Sequence, residues 1–292
     1  MQNKIIVGYK SYIKTLGYSK TSVYNLPKIV ENFLCHVEQS ETTKEIKNIT
    51  EKDIRKYIEY IETRPNKNRK SGSLSVSYIK QHIYSIKLFF SYLEQIEMLQ
   101  ENPSTGIVYD KKVVNKQRAI LTQEEIIILF KSAETLTETA VLHLAYSAGL
   151  RKSEIENLEV RDIDFRENRI YIRAGKNKKR RVIPITEKVK NELKNYYLEE
   201  RIKTKSSYFL VNRLGNKMQN SSLYTILKPI LKKSEIIHQK SEISLHSLRH
   251  SIATHLLENG MRVEVVRDFL GHNQLKTTQI YTRVNQINLK ET

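Results

Sequence analysis

The stretch DIDFRENRIYIRAGKNKKRRVIPI, Asp162 to Ile185, decides the fold class of this chain. Its apolar and polar residues alternate, as they do in half-buried strands, and turn signals fall at RENR and GKNKK. The spacing predicts a small antiparallel sheet. On either side the period is helical instead. LTQEEIIILFKSA opens with Thr122 and Glu125 in capping-box positions, and the apolar run VLHLAYSAGL is stopped by Gly149. Helical patterns resume at TEKVKNELKNYYLEER, at SSLYTILKPILKK and from His246 onward. The second half is therefore read as an α+β domain over residues 118–292.

The first half is read as helices alone, over residues 1–106, with a linker over 107–117 where Pro, Gly and a basic run break the period. TEKDIRKYIEYIE carries Thr50 and Asp53 as a cap, with Ile54, Tyr57, Ile58 and Ile61 on one face. A longer amphipathic helix is expected over 73–98, and two earlier ones near 3–16 and 19–38. Pro27 is expected to kink the second of these or to divide it.

Fifty basic residues against thirty-two acidic ones give a net charge of +18 over 292 residues. A polyanion, with nucleic acid first, is the natural partner of such a surface. Both halves are basic, +5 over 1–106 and +13 over the remainder, so one partner touching both is plausible. No stretch approaches the run of about 20 apolar residues that spans a membrane, so no membrane partner is expected. MQNKIIVGYK has no apolar core followed by a cleavage site, so no signal peptide is expected. The single cysteine, Cys35, excludes an intrachain disulfide and fits a reducing cytoplasm, where it is read as a small buried hydrophobe.

Four places in the second half hold polar or cationic residues that packing alone does not require. SAGLRKSE sets Arg151 just after a helix-ending glycine. RAGKNKKRR gathers six cations without an acid: Arg173, Lys176, Lys178, Lys179, Arg180 and Arg181. LHSLRHSIATHLL places His246, Arg249 and His250 on one helix, and GHNQLKTTQIYTR carries His272 and Tyr281. Arginine forks hold nonbridging phosphate oxygens, and histidine and lysine move protons, so this set suits phosphoryl transfer. The plainer readings are a surface arginine, a hairpin that only touches phosphates, and a core tyrosine. His246 and His250 have the spacing of a metal pair, but Arg249 lies between them and the glutamate of HExxH is missing. His255 is read as a packed residue. No GxxxxGK[ST], GxGxxG or carboxylate cluster points to a nucleotide motor or a two-metal nuclease. In the first half, the basic loop RPNKNRKSG, with Arg64, Lys67, Arg69 and Lys70, reads equally as a phosphate contact and as a solvated loop.

In order, these motifs resemble those of the tyrosine recombinase family, most closely its Xer-like and phage-integrase-like members. AYSAGLRKSEI is similar to the first-arginine box, LHSLRHSIATHLLENG to the His-x-x-Arg box, and VRDFLGHNQLKTTQIYTRV to the closing His and Tyr box. GKNKKRRVIPI matches the family hairpin without a gap, which puts Lys176 at the catalytic lysine; Asn177 stands where members often have glycine. The resemblance implies a helical core-binding (SAM-like) domain followed by the catalytic domain, the two clasping DNA. It implies that Arg151 and Arg249 hold the scissile phosphate with help from His246 and His272, while Glu154 supports the pocket. Tyr281 would attack phosphorus to give a 3′-phosphotyrosine, and Lys176 would protonate the leaving 5′-oxygen. Lys178, Lys179, Arg180 and Arg181 would touch neighbouring phosphates. The covalent link conserves bond energy, so neither cofactor nor metal is required. The implied partners are a double-stranded DNA core site and a tetramer on it, built from copies of this chain or with a related recombinase. The implied location is cytoplasmic and nucleoid-associated. Competing readings are strand cleavage and rejoining of the type IB topoisomerase kind, and a DNA-binding regulator without chemistry.

Overall fold

A computed structural model of the chain describes residues 2–40, 45–65, 73–112, 119–173, 180–201, 203–236 and 243–271. The chain divides into two compact units, Met1–Lys116 and Gln117–Thr292.

In the first unit α1 (Gln2–Thr15), α2 (Lys20–Ser40), α3 (Glu51–Thr63) and α4 (Val76–Gln95) each turn an apolar stripe inward. Ile13, Phe33, Ile61, Ile86 and Phe89 meet there with no solvent exposure. Asp53 caps α3 as its sequence suggests, accepting from both the N–H and the hydroxyl of Thr50 at 2.7 Å. Two expectations are corrected here: the division of the second helix at Pro27, and the burial of Cys35. Helix α2 runs through Pro27 without interruption, because Leu26, Pro27, Ile29 and Val30 all lie on its buried face, and packing outweighs the lost backbone hydrogen bond. Cys35 is exposed, since it falls between the buried pair Phe33–Leu34 and Val37, on the solvent side of the helix. The described part of the expected linker, 107–112, also begins inside the first unit. Ile107 is buried, the Tyr109 hydroxyl donates to Glu62 Oε1 at 2.6 Å, and Lys111 pairs with the same carboxylate at 2.8 Å.

The second unit is helical around a three-stranded antiparallel sheet in the order β1 (Ile163–Asp164), β2 (Arg169–Ile172) and β3 (Arg181–Pro184). The register Ile170↔Ile183 sets those two side chains on the inner face, and both are fully buried. Asn168, at φ +53°, closes the turn between β1 and β2. Before the sheet come α5 (Gln123–Lys131), α6 (Leu136–Leu142) with a π turn at His143–Ser147, and α7 (Lys152–Asn157). After it come α8 (Glu187–Asn195), α9 (Asn220–Lys233), α10 (Leu245–Glu258) and α11 (Val263–Leu270). Among the described residues no helix is long and apolar enough to cross a membrane.

Candidate active site

The site is assembled at the C-terminal end of α11. The last carbonyls of a helix have no partner within it, and that end carries partial negative charge, so cations are favoured there. Here three successive carbonyls are each taken by a different arginine. Phe269 O accepts from Arg181 Nε at 2.9 Å, Leu270 O from an amino group of Arg249, and Gly271 O from Arg151 at 2.6 Å. Gly271 stops the helix at φ +65°, and a Cβ on it would lie 2.9 Å from the Arg181 guanidinium.

Each arginine reaches that point from a different element. Arg151 is the residue preceding α7, held in place because its own N–H donates to Glu154 Oε2 at 2.8 Å. Arg249 lies on the buried face of α10, four residues after Leu245 and next to Leu248, and is only 2% exposed. Its other amino group donates to the carbonyl of Gly149. That glycine sits at φ +57°, and a Cβ there would come within 3.0 Å of Leu270 and 3.1 Å of Phe269. The π turn His143–Ser147 leads the chain into it, its ring nitrogens engaged by Ser147 Oγ at 2.9 Å and by Glu192.

Glu154 is the anion of the cluster. Its Oε1 accepts from Arg151 at 2.7 Å and from Arg181 at 2.9 Å, and its Oε2 from Arg181 at 2.8 Å; Arg249 stands 3.8 Å from Oε2. Burial by itself would raise the Glu154 carboxyl, but the hydrogen bonds and charge of Arg181, with those of Arg151, outweigh it and push the group down to about 2. The carboxylate is thus ionised at any working pH, and three guanidiniums around one carboxylate leave an excess of positive charge.

The structure thereby brings Arg151, Glu154 and Arg249 together. It adds Arg181, and here the sequence reading needs correction: Arg181, expected to touch a neighbouring phosphate, is turned into the protein instead. Its side chain is 9% exposed, and the donors just described all point inward. The signal was present, because Arg181 and the buried Ile183 are two apart and share the inner face of β3, whereas Arg180 and Val182 are exposed. Arg173, another cation of the hairpin, pairs with the buried Asp162. His246, one helical turn before Arg249, is exposed, and its ring meets that of His250 edge-on at 4.6 Å. His255 is packed, as expected, hydrogen-bonded through Nδ1 to the Tyr146 hydroxyl at 2.8 Å. In the first unit, Arg64 ends α3 with its guanidinium 5.7 Å from the centre of the Tyr60 ring. Lys176, Lys178, Lys179, His272 and Tyr281 lie outside the described residues, as do Lys67, Arg69 and Lys70.

The second unit thus belongs to the class of helical domains with a small sheet, here with three arginines fixed around one buried carboxylate. The comparisons narrow this class. The phage integrase family model matches residues 119–287. A tyrosine recombinase of Thermosipho africanus is 32% identical over 288 residues, which cover 97% of this chain and 95% of its own. The tyrosine recombinase XerA of Pyrococcus horikoshii is 34% identical over 227 residues, covering 77% of this chain and 75% of its own. A crystal structure of XerA recombinase shares 26% identity at a TM-score of 0.54, covering 99% of this chain and 96% of that one. A lambda integrase dimer bound to a core site shares the fold at a TM-score of 0.72 with 16% identity, over 96% and 94% of the two chains. The chain belongs to the tyrosine recombinase family, and it is a tyrosine-type site-specific DNA recombinase.

Proposed function

We propose that this recombinase cleaves and rejoins one strand at a time of a double-stranded core site through a 3′-phosphotyrosine, and exchanges strands through a Holliday junction within a tetramer on DNA. The observation that carries the reading is the convergence of Arg151 and Arg249 beside Glu154 at the end of α11, one residue before His272 in the chain. Two guanidiniums fixed side by side suit the negative charge of a phosphodiester, and the uncompensated charge suits the second negative charge that develops as a nucleophile adds.

The chemistry assigned to the chain's own residues follows. The Tyr281 hydroxyl attacks phosphorus and loses its proton; the bond to the 5′-oxygen breaks, and Lys176 supplies the proton that makes it a 5′-hydroxyl. An unperturbed tyrosine has a pKa of about 10, so the attack depends on the cationic surroundings of the phosphate. His246 and His272 assist in holding the phosphate. Lys178, Lys179 and Arg180, with Arg64, Lys67, Arg69 and Lys70 from the first unit, are assigned to flanking phosphates, which a net charge of +18 supports. XerH has been solved on its difH substrate in a post-cleavage complex, with 22% identity to this chain and a TM-score of 0.66.

The test uses a nicked suicide substrate carrying the cognate site, isolated by mapping covalent protein–DNA junctions. Wild type should accumulate a covalent adduct in excess EDTA, and Tyr281→Phe should bind equally well yet form none. An adduct of wild-type yield from Tyr281→Phe would refute the assignment.

A further inference from the structure

We infer that Arg181 is a positioning residue for this reaction: it occupies the Glu154 carboxylate so that Arg151 and Arg249 keep their charge for the phosphate. The inference rests on the proposed role of those two arginines. Its own basis is the division of hydrogen bonds within the cluster.

Arg181 faces Glu154 fork to fork, one amino group to each carboxylate oxygen at 2.9 and 2.8 Å, and its remaining Nε–H goes to Phe269 O at 2.9 Å. Each of its three nitrogens is therefore committed to a partner inside the protein, and its side chain is 9% exposed. Arg151 gives Glu154 a single side-chain bond and Gly271 O another, and its side chain is 36% exposed. Arg249, 2% exposed, stands 3.8 Å from Oε2 and gives its two amino groups to the carbonyls of Gly149 and Leu270 instead.

Charge arithmetic shows what the arrangement does. Arg151, Arg249 and Arg181 against Glu154 leave two positive charges. A phosphodiester brings one negative charge, and a second develops in the pentacovalent transition state. Without Arg181 the carboxylate keeps its place on α7 and stays ionised, because two other arginines still lie against it. One positive charge then remains, enough for the ground state and one short of the transition state. Interactions that strengthen only in the transition state act on kcat rather than on binding. Glu154 is retained because it orients Arg151 through both its backbone N–H and its guanidinium. Arg181 cancels the electrostatic penalty of that orienting group.

The geometry also allows a purely mechanical alternative, in which Arg181 merely ties β3 to the end of α11 through Phe269 O. The two ideas differ in what a second substitution does. If charge is the point, removing the carboxylate's charge as well should restore activity. If the tie is the point, a second substitution in the cluster should only make matters worse.

The experiment measures the rate of covalent adduct formation by the full chain on the nicked suicide substrate, with wild type and Tyr281→Phe run in parallel. Arg181→Gln should slow adduct formation by roughly 100-fold, with DNA affinity little changed, the scale seen when one charge-stabilising group is lost. Arg181→Lys, which keeps the charge, should recover most of that loss. The double variant Glu154→Gln/Arg181→Gln, in which two neutral amides face each other, should be faster than Arg181→Gln alone by at least 10-fold. Unchanged kinetics in Arg181→Gln, or a double variant no faster than the single one, would overturn the inference. Should Arg181→Gln not fold, Arg181→Lys and the double variant are compared with wild type: rates within about 10-fold of it support the inference, and a loss of roughly 100-fold or more in both overturns it. Absence of any Tyr281-dependent adduct from wild type would overturn the phosphotyrosine reading first, and this inference with it.

Discussion

Replacing Glu154 by Gln changes no volume and removes one charge, which makes it the sharpest probe of what holds the second unit's arginines. The carboxylate is 5% exposed and accepts four hydrogen bonds: two from Arg181, one from the Arg151 guanidinium and one from the Arg151 backbone. An amide offers one oxygen and one NH2, and each carboxylate oxygen accepts two of the four bonds, so two donors must face another donor. Removing one side of a buried ion pair costs about 3–5 kcal/mol. A second route gives the same size. The group is held at about 2 instead of 4.5, and at about 1.36 kcal/mol per pKa unit that difference corresponds to about 3 kcal/mol. The sign follows from the depressed value: the contribution is present in full above pH 4.5 and is lost as pH falls toward 2. Wild type should therefore lose about 3 kcal/mol more than Glu154→Gln between pH 5 and pH 2, and at pH 7 the variant should be less stable by about 3–5 kcal/mol. Urea unfolding, with hydrogen exchange followed separately in β3 and α11, reads both. A variant within 1 kcal/mol of wild type at pH 7, or with an equally steep acid limb, would refute this account of the cluster.

The first unit makes its own pH prediction through His82, which is fully buried with Nδ1 bonded to the Tyr57 hydroxyl at 3.0 Å. Burial, aided by the charge of Arg64, lowers it from 6.5 to about 4, so its contribution is intact above pH 6.5 and lost as pH falls toward 4. Hydrogen exchange in α3 and α4 should accelerate over that window in wild type and much less in His82→Gln. Gly149→Ala should cost about 2–4 kcal/mol in urea unfolding, combining left-handed backbone strain with the contact against Leu270 and Phe269, and should slow adduct formation by displacing the carbonyl that Arg249 holds. A bridging 5′-sulfur should restore cleavage by Lys176→Ala but not by Arg151→Ala, because a thiol with pKa of about 8.5 leaves without a proton. Rescue of Lys178→Ala or Lys179→Ala in its place would move the general acid.

How much of this was legible in the sequence depends on the range of the interaction that decides each feature. The cap of α3 by Asp53, the cap of α5 by Glu125 at 2.7 Å from Thr122 N, and the stop at Gly149 are settled within four residues, and each could be read directly. The sheet was legible for the same reason, since period-two alternation and a turn lie within one stretch. Pro27 and Cys35 misled because a residue's intrinsic tendency was taken over its place on the helix face: the neighbours of Pro27 are buried and Cys35 falls between buried positions. The family motifs placed Arg151 and Arg249 beside one another across 98 positions, which no local pattern could have done.

Arg181 shows where the two kinds of information have to be combined. A hairpin of six cations invites a single assignment to phosphate, but alternation does not allow neighbouring side chains on a strand to share a face. Once Ile170 pairs with Ile183 over a buried core, Arg181 must point inward, and a guanidinium pointing inward must find an anion or carbonyls to be tolerated there. The register is therefore what divides the cations of this hairpin into two groups. Exposed Arg180 remains available to an external polyanion, while Arg181 is committed to Glu154 and Phe269. A one-residue slip of β3 would exchange the two roles, turning Arg180 inward and releasing Glu154 from its neutralising partner. The packing of Ile183 thus sets how much positive charge is left beside Arg151 and Arg249.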